Sequence, residues 1–130
     1  HHPVEVLTAC NRLLGQNGYL WLETPNNASI GHRLFGHSWR GLEIPRHLVL
    51  FNLTSMRNAL HKAGFKKVEF QPYRPLCDIL FRTSKAILEG IDPYSVSRQY
   101  RPTGIVKKAE WIARHDLSCR EFITLKAWKN

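Results

Sequence analysis

The groups best equipped for chemistry gather in one stretch of the chain. Between Arg33 and Phe51 lie Trp39, Arg40, Arg46 and His47, with His32 and His37 close by. His47 carries an imidazole that titrates near neutral pH, which suits it to take a proton from an accepting atom. Arg40 or Arg46 would grip an acidic group by a two-pronged contact, and Trp39 would stack on a sugar or an aromatic ring. The plainer alternative makes Arg46 and His47 anchors of their own loop, since a lone histidine ahead of an apolar run is more often structural. Thr24, Pro25, Asn26 and Asn27 follow an apolar run just upstream. They are either part of a site at a strand end or simply the turn that releases the strand.

Other chemistries find little support. His32 and His37 are five residues apart, off a common helical face, and no cysteine or carboxylate cluster accompanies them, so a metal site is not expected. No G-x-S-x-G nucleophile elbow and no G-x-G-x-x-G loop occurs. Cys10, Cys77 and Cys119 are odd in number and far apart, which argues for core residues in a reducing, cytoplasmic setting over a disulfide framework. The chain carries 19 basic and 10 acidic residues, a net charge of +9. That excess invites a nucleic-acid or anionic-surface partner. It is spread evenly, however, with 8 basic and 4 acidic residues in 1–73 and 11 and 6 in 74–130. A solvated basic surface is the better expectation, and nucleic acid is not favoured. Hydrophobic residues form 43% of the 130, and no apolar run is long enough for a membrane helix.

These groups must be held by regular elements. Pro3 suits a first helical turn, and Val6, Leu7, Cys10, Leu13 and Leu14 recur at helical spacing, ended by Gly15-Gln16-Asn17-Gly18. Tyr19 to Thr24 is apolar on both faces until Glu23, which predicts a central strand of a parallel sheet. Residues 26–46 are irregular, with a short helix expected over Ile30 to Phe35. Asn52 is a good N-cap for a helix ended by Gly64, with Phe65 folding back over the last turn. Val68, Phe70 and Pro72 alternate with Glu69 and Gln71 as a strand. Residues 74–117 read as two helices separated by Gly90 to Gly104, with Pro93 and Pro102 between them. Phe122 to Trp128 reads as a last strand with Ile123, Leu125 and Ala127 on one face. The result is an α/β chain with three strands and flanking helices, a thin layer that would leave an apolar edge open. The expectation is therefore a portion of a larger sheet, with self-association through the open edge as an alternative. His1-His2 is taken as a tag remnant or the interior of a longer chain.

Three patches then carry a resemblance. Pro3-Val4-Glu5-Val6-Leu7, Leu13-Leu14-Gly15-Gln16-Asn17-Gly18-Tyr19-Leu20 and Glu23-Thr24-Pro25-Asn26 resemble class I S-adenosylmethionine-dependent methyltransferases, in the stretch leading to their fifth strand. The run Phe35-Gly36-His37-Ser38-Trp39-Arg40-Gly41-Leu42-Glu43-Ile44-Pro45-Arg46-His47-Leu48-Val49-Leu50-Phe51 and the Ala63-Gly64-Phe65 turn are similar to a bacterial subgroup acting on sugars, lipids or other small metabolites. The likeness covers residues 1–73, with 74–117 as a helical insert and 118–130 as the final strand by position. It implies the C-terminal part of a Rossmann-like sheet that contributes the acceptor side. Thr24, Asn26, Arg33, Trp39, Arg40 and Arg46 would then bind a small-molecule acceptor, and His47 would be a candidate base. The donor S-adenosylmethionine would be held mostly by a glycine-rich loop and an acidic residue that this chain lacks, so the segment alone should be inactive. Tyr94, Arg98, Tyr100 and Arg101 in the insert would cover the acceptor, make a dimer contact or face an anionic surface. The competing reading is a basic, helix-rich module for nucleic acid or an anionic surface.

Overall fold

The computed structural model describes residues 2–100 and 104–129. His1, Arg101 and Pro102 lie outside the described residues. Helix α1 (Pro3–Leu13) opens with its proline in the first turn, where the missing N–H has no partner to lose. The Gly15–Gly18 turn, closed by a Gly18 N–H to Gly15 C=O bond of 3.1 Å, delivers the chain to β1 (Tyr19–Pro25). Helix α2 (Ile30–Phe35) and two 3₁₀ turns (Gly36–Ser38 and Arg40–Leu42) shape the long connection.

Helix α3 (Leu53–Lys62) starts in a reciprocal cap. The Asn52 side chain accepts from the Ser55 N–H and the Ser55 hydroxyl accepts from the Asn52 N–H, both at 2.9 Å. It ends at Gly64, whose φ of +90° needs a residue without Cβ. The Phe65 N–H then reaches back to the Leu60 C=O at 3.1 Å, and Phe65 itself is buried as expected. Strand β2 (Lys67–Phe70), helices α4 (Cys77–Leu88) and α5 (Ile105–His115), and β3 (Phe122–Trp128) complete the chain.

The three strands form one sheet in the order β1-β3-β2, with both pairings antiparallel. This corrects the expectation for β1, which is an edge strand and not a central strand of a parallel sheet. Among the described residues its one parallel contact is an isolated bridge from Asn26 to Phe51. The apolar run misled because its two faces do different things. Leu20 and Leu22 turn under the helices, whereas Tyr19 and Trp21 turn to the opposite face and stay 46% and 51% exposed. The buried centre is β3, where Ile123, Leu125 and Ala127 lie inward.

Two hydrophobic clusters result. The first joins Leu7 of α1, Met56 and Leu60 of α3, Phe65, and the inward side of β3. Burial of each large side chain there stabilises the fold by about 1.5–3 kcal/mol. The second joins Cys77, Leu80 and Phe81 of α4 to Ala109 and Ala113 of α5, and packs against Ile30 and Phe35 of α2 and Phe122 of β3. Cys77 and Cys119 are buried and Cys10 is partly so, all free thiols. Burial, with Glu121 nearby adding to it, pushes the Cys77 thiol up to about 12, so it stays a neutral packing group. Among the described residues no helix is long and apolar enough to cross a membrane.

Candidate functional site

The carboxyl ends of β1 and β2 and the start of β3 meet at one end of the sheet, and the polar residues of the chain converge there. Asn26, directly after β1, is fully buried. Its amide donates to the Ser118 and Arg120 carbonyls at 2.8 and 2.7 Å, and its oxygen accepts from the Ala28 N–H at 3.0 Å. Both donors and the acceptor are thereby used. The Arg120 guanidinium ties the same corner together, donating to the Gln71 carbonyl at 2.9 Å and the Ala113 carbonyl at 3.2 Å.

Beside it stands Glu121, 2% exposed. One carboxylate oxygen accepts from the Gly31 N–H at 2.7 Å, and the other accepts from the Trp39 indole N–H at 2.8 Å. The Ser29 hydroxyl, which caps α2 by accepting from the His32 N–H, also favours the charged carboxylate. Burial nonetheless dominates and pushes the Glu121 carboxyl up to about 7, with the three donors pulling the other way. Trp39 is 1% exposed and lies between two glycines. A Cβ on Gly31 would collide with the indole and with Glu121, and one on Gly41 would collide with the indole ring. Those positions are glycine because the ring leaves no room for anything else. Trp39, expected to offer a stacking face to a ligand, instead has its ring closed in by the protein and tilted against His32 at 5.2 Å.

The next turn of chain is organised by Glu43, which adopts a left-handed backbone (φ 39°, ψ 47°) uncommon for a residue with a side chain. Three basic side chains converge on its carboxylate. Arg40 lies at 2.8 Å, Arg46 at 3.4 Å and His47 Nε2 at 3.1 Å. The structure therefore brings Arg40, Arg46 and His47 together around one carboxylate. Arg33 stands apart, exposed on α2, where its charge adds to the Ser118 hydrogen bonds that hold the Asp116 carboxyl below its usual range. Thr24 lies opposite Ile123 on the strand face shared with Leu20 and Leu22, under the helices.

Arg40 also forms one wall of a groove of about 420 Å³ between the 3₁₀ turn, α4 and the segment around Tyr94. Its guanidinium donates to the Tyr94 hydroxyl at 2.6 Å and lies 5.1 Å from the centre of that ring. The floor is apolar: Leu76 just before α4, Ile79 and Leu80 within it, and Phe122 of β3. Arg82 lines the same space, donating from one terminal nitrogen to the Val96 carbonyl at 3.1 Å. Its Nε–H is shut away from solvent without a hydrogen-bond partner among the described residues.

Glu121, Ser29 and Arg82 had drawn no attention in the sequence. Glu121 sits between an arginine and the first residue of a strand, a context that looks like ordinary surface. Only its apposition to residues 82 and 90 positions away reveals the role.

A family profile described as "Methyltransferase domain" matches residues 1–69, a little over half of the chain. No curated protein and no solved structure matches it. Methyltransferases of this type generally take their methyl group from S-adenosylmethionine. The groove does not fit that donor. Its sulfonium is a cation, and Arg40 and Arg82 already line the space. The one carboxylate among the lining residues, Glu43, is already engaged by Arg40, Arg46 and His47. No glycine-rich turn follows β1 either, where Pro25 and a saturated Asn26 stand instead. With the family profile matching across α1, β1, α2 and α3 into β2, this chain belongs to the methyltransferase domain family.

Proposed function

We propose that this chain forms the acceptor-binding side of an S-adenosylmethionine-dependent methyltransferase with a Rossmann-like sheet, and that residues other than these supply most of the donor's berth. The observation that carries the reading is β1. It is a seven-residue strand hydrogen-bonded along one edge only, apart from the bridge at Asn26, with Tyr19 and Trp21 uncovered on its outer face. An apolar edge of this kind is normally covered by further structure. A groove lined by arginines at the ligand-binding end of the sheet, unsuited to a sulfonium, supports the same division of labour.

Within that reading the chain's own residues bind, orient and move a proton. Arg40 and Arg46 supply positive charge to an acidic acceptor. His47 donates Nε2–H to Glu43, which leaves Nδ1 as the atom that accepts a proton from the acceptor. Glu43 acts as a positioning residue that selects this tautomer.

Calorimetry with S-adenosylmethionine on this chain should show no micromolar binding, and tight binding would overturn the division of labour. In the full-length protein, His47→Gln should lower turnover of an acceptor that must lose a proton. Unchanged turnover would remove the histidine from the mechanism.

A second reading rests on the sheet's uncovered face. There Lys126 lies 4.7 Å from the Tyr19 ring, Lys67 lies 4.8 Å from the Trp128 ring, and Trp21 stands free nearby. Aromatic rings among lysines are the ingredients of a stacking platform for single-stranded nucleic acid. Glu23 and Glu69 lie among them and lower its charge. Retention of an oligonucleotide with a steep salt dependence would favour this reading.

A further inference from the structure

We propose that the groove beside α4 is the acceptor subsite, and that it takes a small molecule with an apolar body and one anionic oxygen group, carboxylate or phosphate, held by Arg82. This rests on the acceptor-side reading above and names the chemistry of its ligand.

The two halves of such a molecule each find a match. Leu76, Ile79, Leu80 and Phe122 present a continuous apolar floor, and Ile79 remains 46% exposed with nothing covering it. A bound hydrocarbon would remove that surface from water at about 25 cal/mol per Å². At the rim, Arg40 and Arg82 outnumber the single carboxylate of Glu43. Arg40 is largely committed, to Glu43 at 2.8 Å and to Tyr94 at 2.6 Å. Arg82 is not: one terminal nitrogen reaches Val96, while its buried Nε–H donates to nothing among the described residues. A buried donor left unpaired costs on the order of 1–3 kcal/mol, and a turn of the guanidinium that presents Nε and a terminal nitrogen together to an oxyanion in the groove relieves it. Tyr94 adds to the same side. Its hydroxyl oxygen accepts from Arg40, which leaves its own O–H as a further donor. A volume of about 420 Å³ falls within the range of small-molecule sites.

Octanoate, octyl phosphate and octanol share a chain and differ only in the head group, which makes them suitable probes. Each is titrated against the protein by calorimetry without any methyl donor, with amide shifts around Val96 locating the site. Both anions should bind, and octanol should bind about tenfold or more weakly than either. Arg82→Gln should cost octanoate about tenfold and leave octanol unchanged, and Arg82→Lys should fall between. Ile79→Glu changes an exposed position and so spares folding, yet it should also weaken octanoate by charge repulsion. Absence of binding, equal affinity for octanol and octanoate, octanoate affinity indifferent to Arg82→Gln, or octanoate affinity indifferent to Ile79→Glu would overturn the proposal. A preference for octyl phosphate or for octanoate supports it either way and names the head group. Methyl transfer plays no part in this measurement. Its failure would leave the methyltransferase reading intact, and a full-length protein without turnover would leave the groove intact.

Discussion

The two hydrophobic clusters are built by different means. The first, under α1 and α3, is held by aliphatic and aromatic side chains at regular intervals along helices and strands. The second, between α4 and α5, relies on small residues for close helix approach, with Ala109 and Ala113 facing Phe81 and Cys77. Polar residues join this second cluster to the sheet: Glu121 accepts from Gly31 and Trp39, and the Asn26 amide donates to backbone carbonyls before β3. Periodic apolar burial is tolerant, because a neighbouring hydrophobe of similar volume often fills the same space. A buried polar clamp is not, because each group left unpaired costs more than the bond contributed. The candidate site sits on the intolerant side.

That contrast can be broken at its strongest point. Trp39→Ala removes the ring that fills the space between Gly31 and Gly41 and takes the indole donor from one Glu121 oxygen. The loss should be about 3–5 kcal/mol in urea unfolding. Should the α4–α5 region then melt in a separate, earlier transition while the β3 core persists, the two regions are separable units. A single shifted transition would make the clamp part of one cooperative body.

A pH titration sharpens the comparison with a smaller effect. Below pH 4.5 the Glu121 carboxyl is protonated in both the folded and the unfolded chain. Between 4.5 and about 7 the unfolded chain ionises while the folded one keeps its proton, so stability falls as pH rises through that window and then levels. At about 1.4 kcal/mol per pH unit this amounts to about 3 kcal/mol. The difference between the parent and Glu121→Gln, followed by urea unfolding from pH 4 to 8, should isolate it. A difference flat with pH would mean that the carboxyl titrates normally.

The smallest effect belongs to the tolerant region. Asn52→Ala removes the cap of α3 and should cost about 1 kcal/mol at any pH in that range, without altering ligand binding in the groove.

Legibility in the sequence follows the same division. Wherever an element advertises itself by period and punctuation, the expectation and the structure agree. Pro3 opens α1, Asn52 and Gly64 bound α3, and Ile123, Leu125 and Ala127 are the buried face of β3. The α/β class, three strands and a helical pair before the last of them are all present. The direction of pairing was not legible. A run such as Tyr19-Leu20-Trp21-Leu22 has the same letters whether two sheet faces are packed or one face is left bare. The closeness of Arg40, Arg46 and His47 to one another was legible from their nearness in the chain. Their assembly point was not. Glu43 offers no signal of being the hub of Arg40, Arg46 and His47, because the left-handed turn that gathers them carries no glycine to announce it. Glu121 offers none of being a receptor for distant donors, because polar contacts across tens of residues leave no local period.

The indole of Trp39 gives the molecule an optical reporter of its own. It is sealed from solvent and hydrogen-bonded to one carboxylate, while Trp21 and Trp111 stand in water. With the other tryptophans replaced by phenylalanine, emission from this ring would register whether its partner oxygen is charged. The state of the joint between sheet and helical insert could then be followed by light, with no label attached.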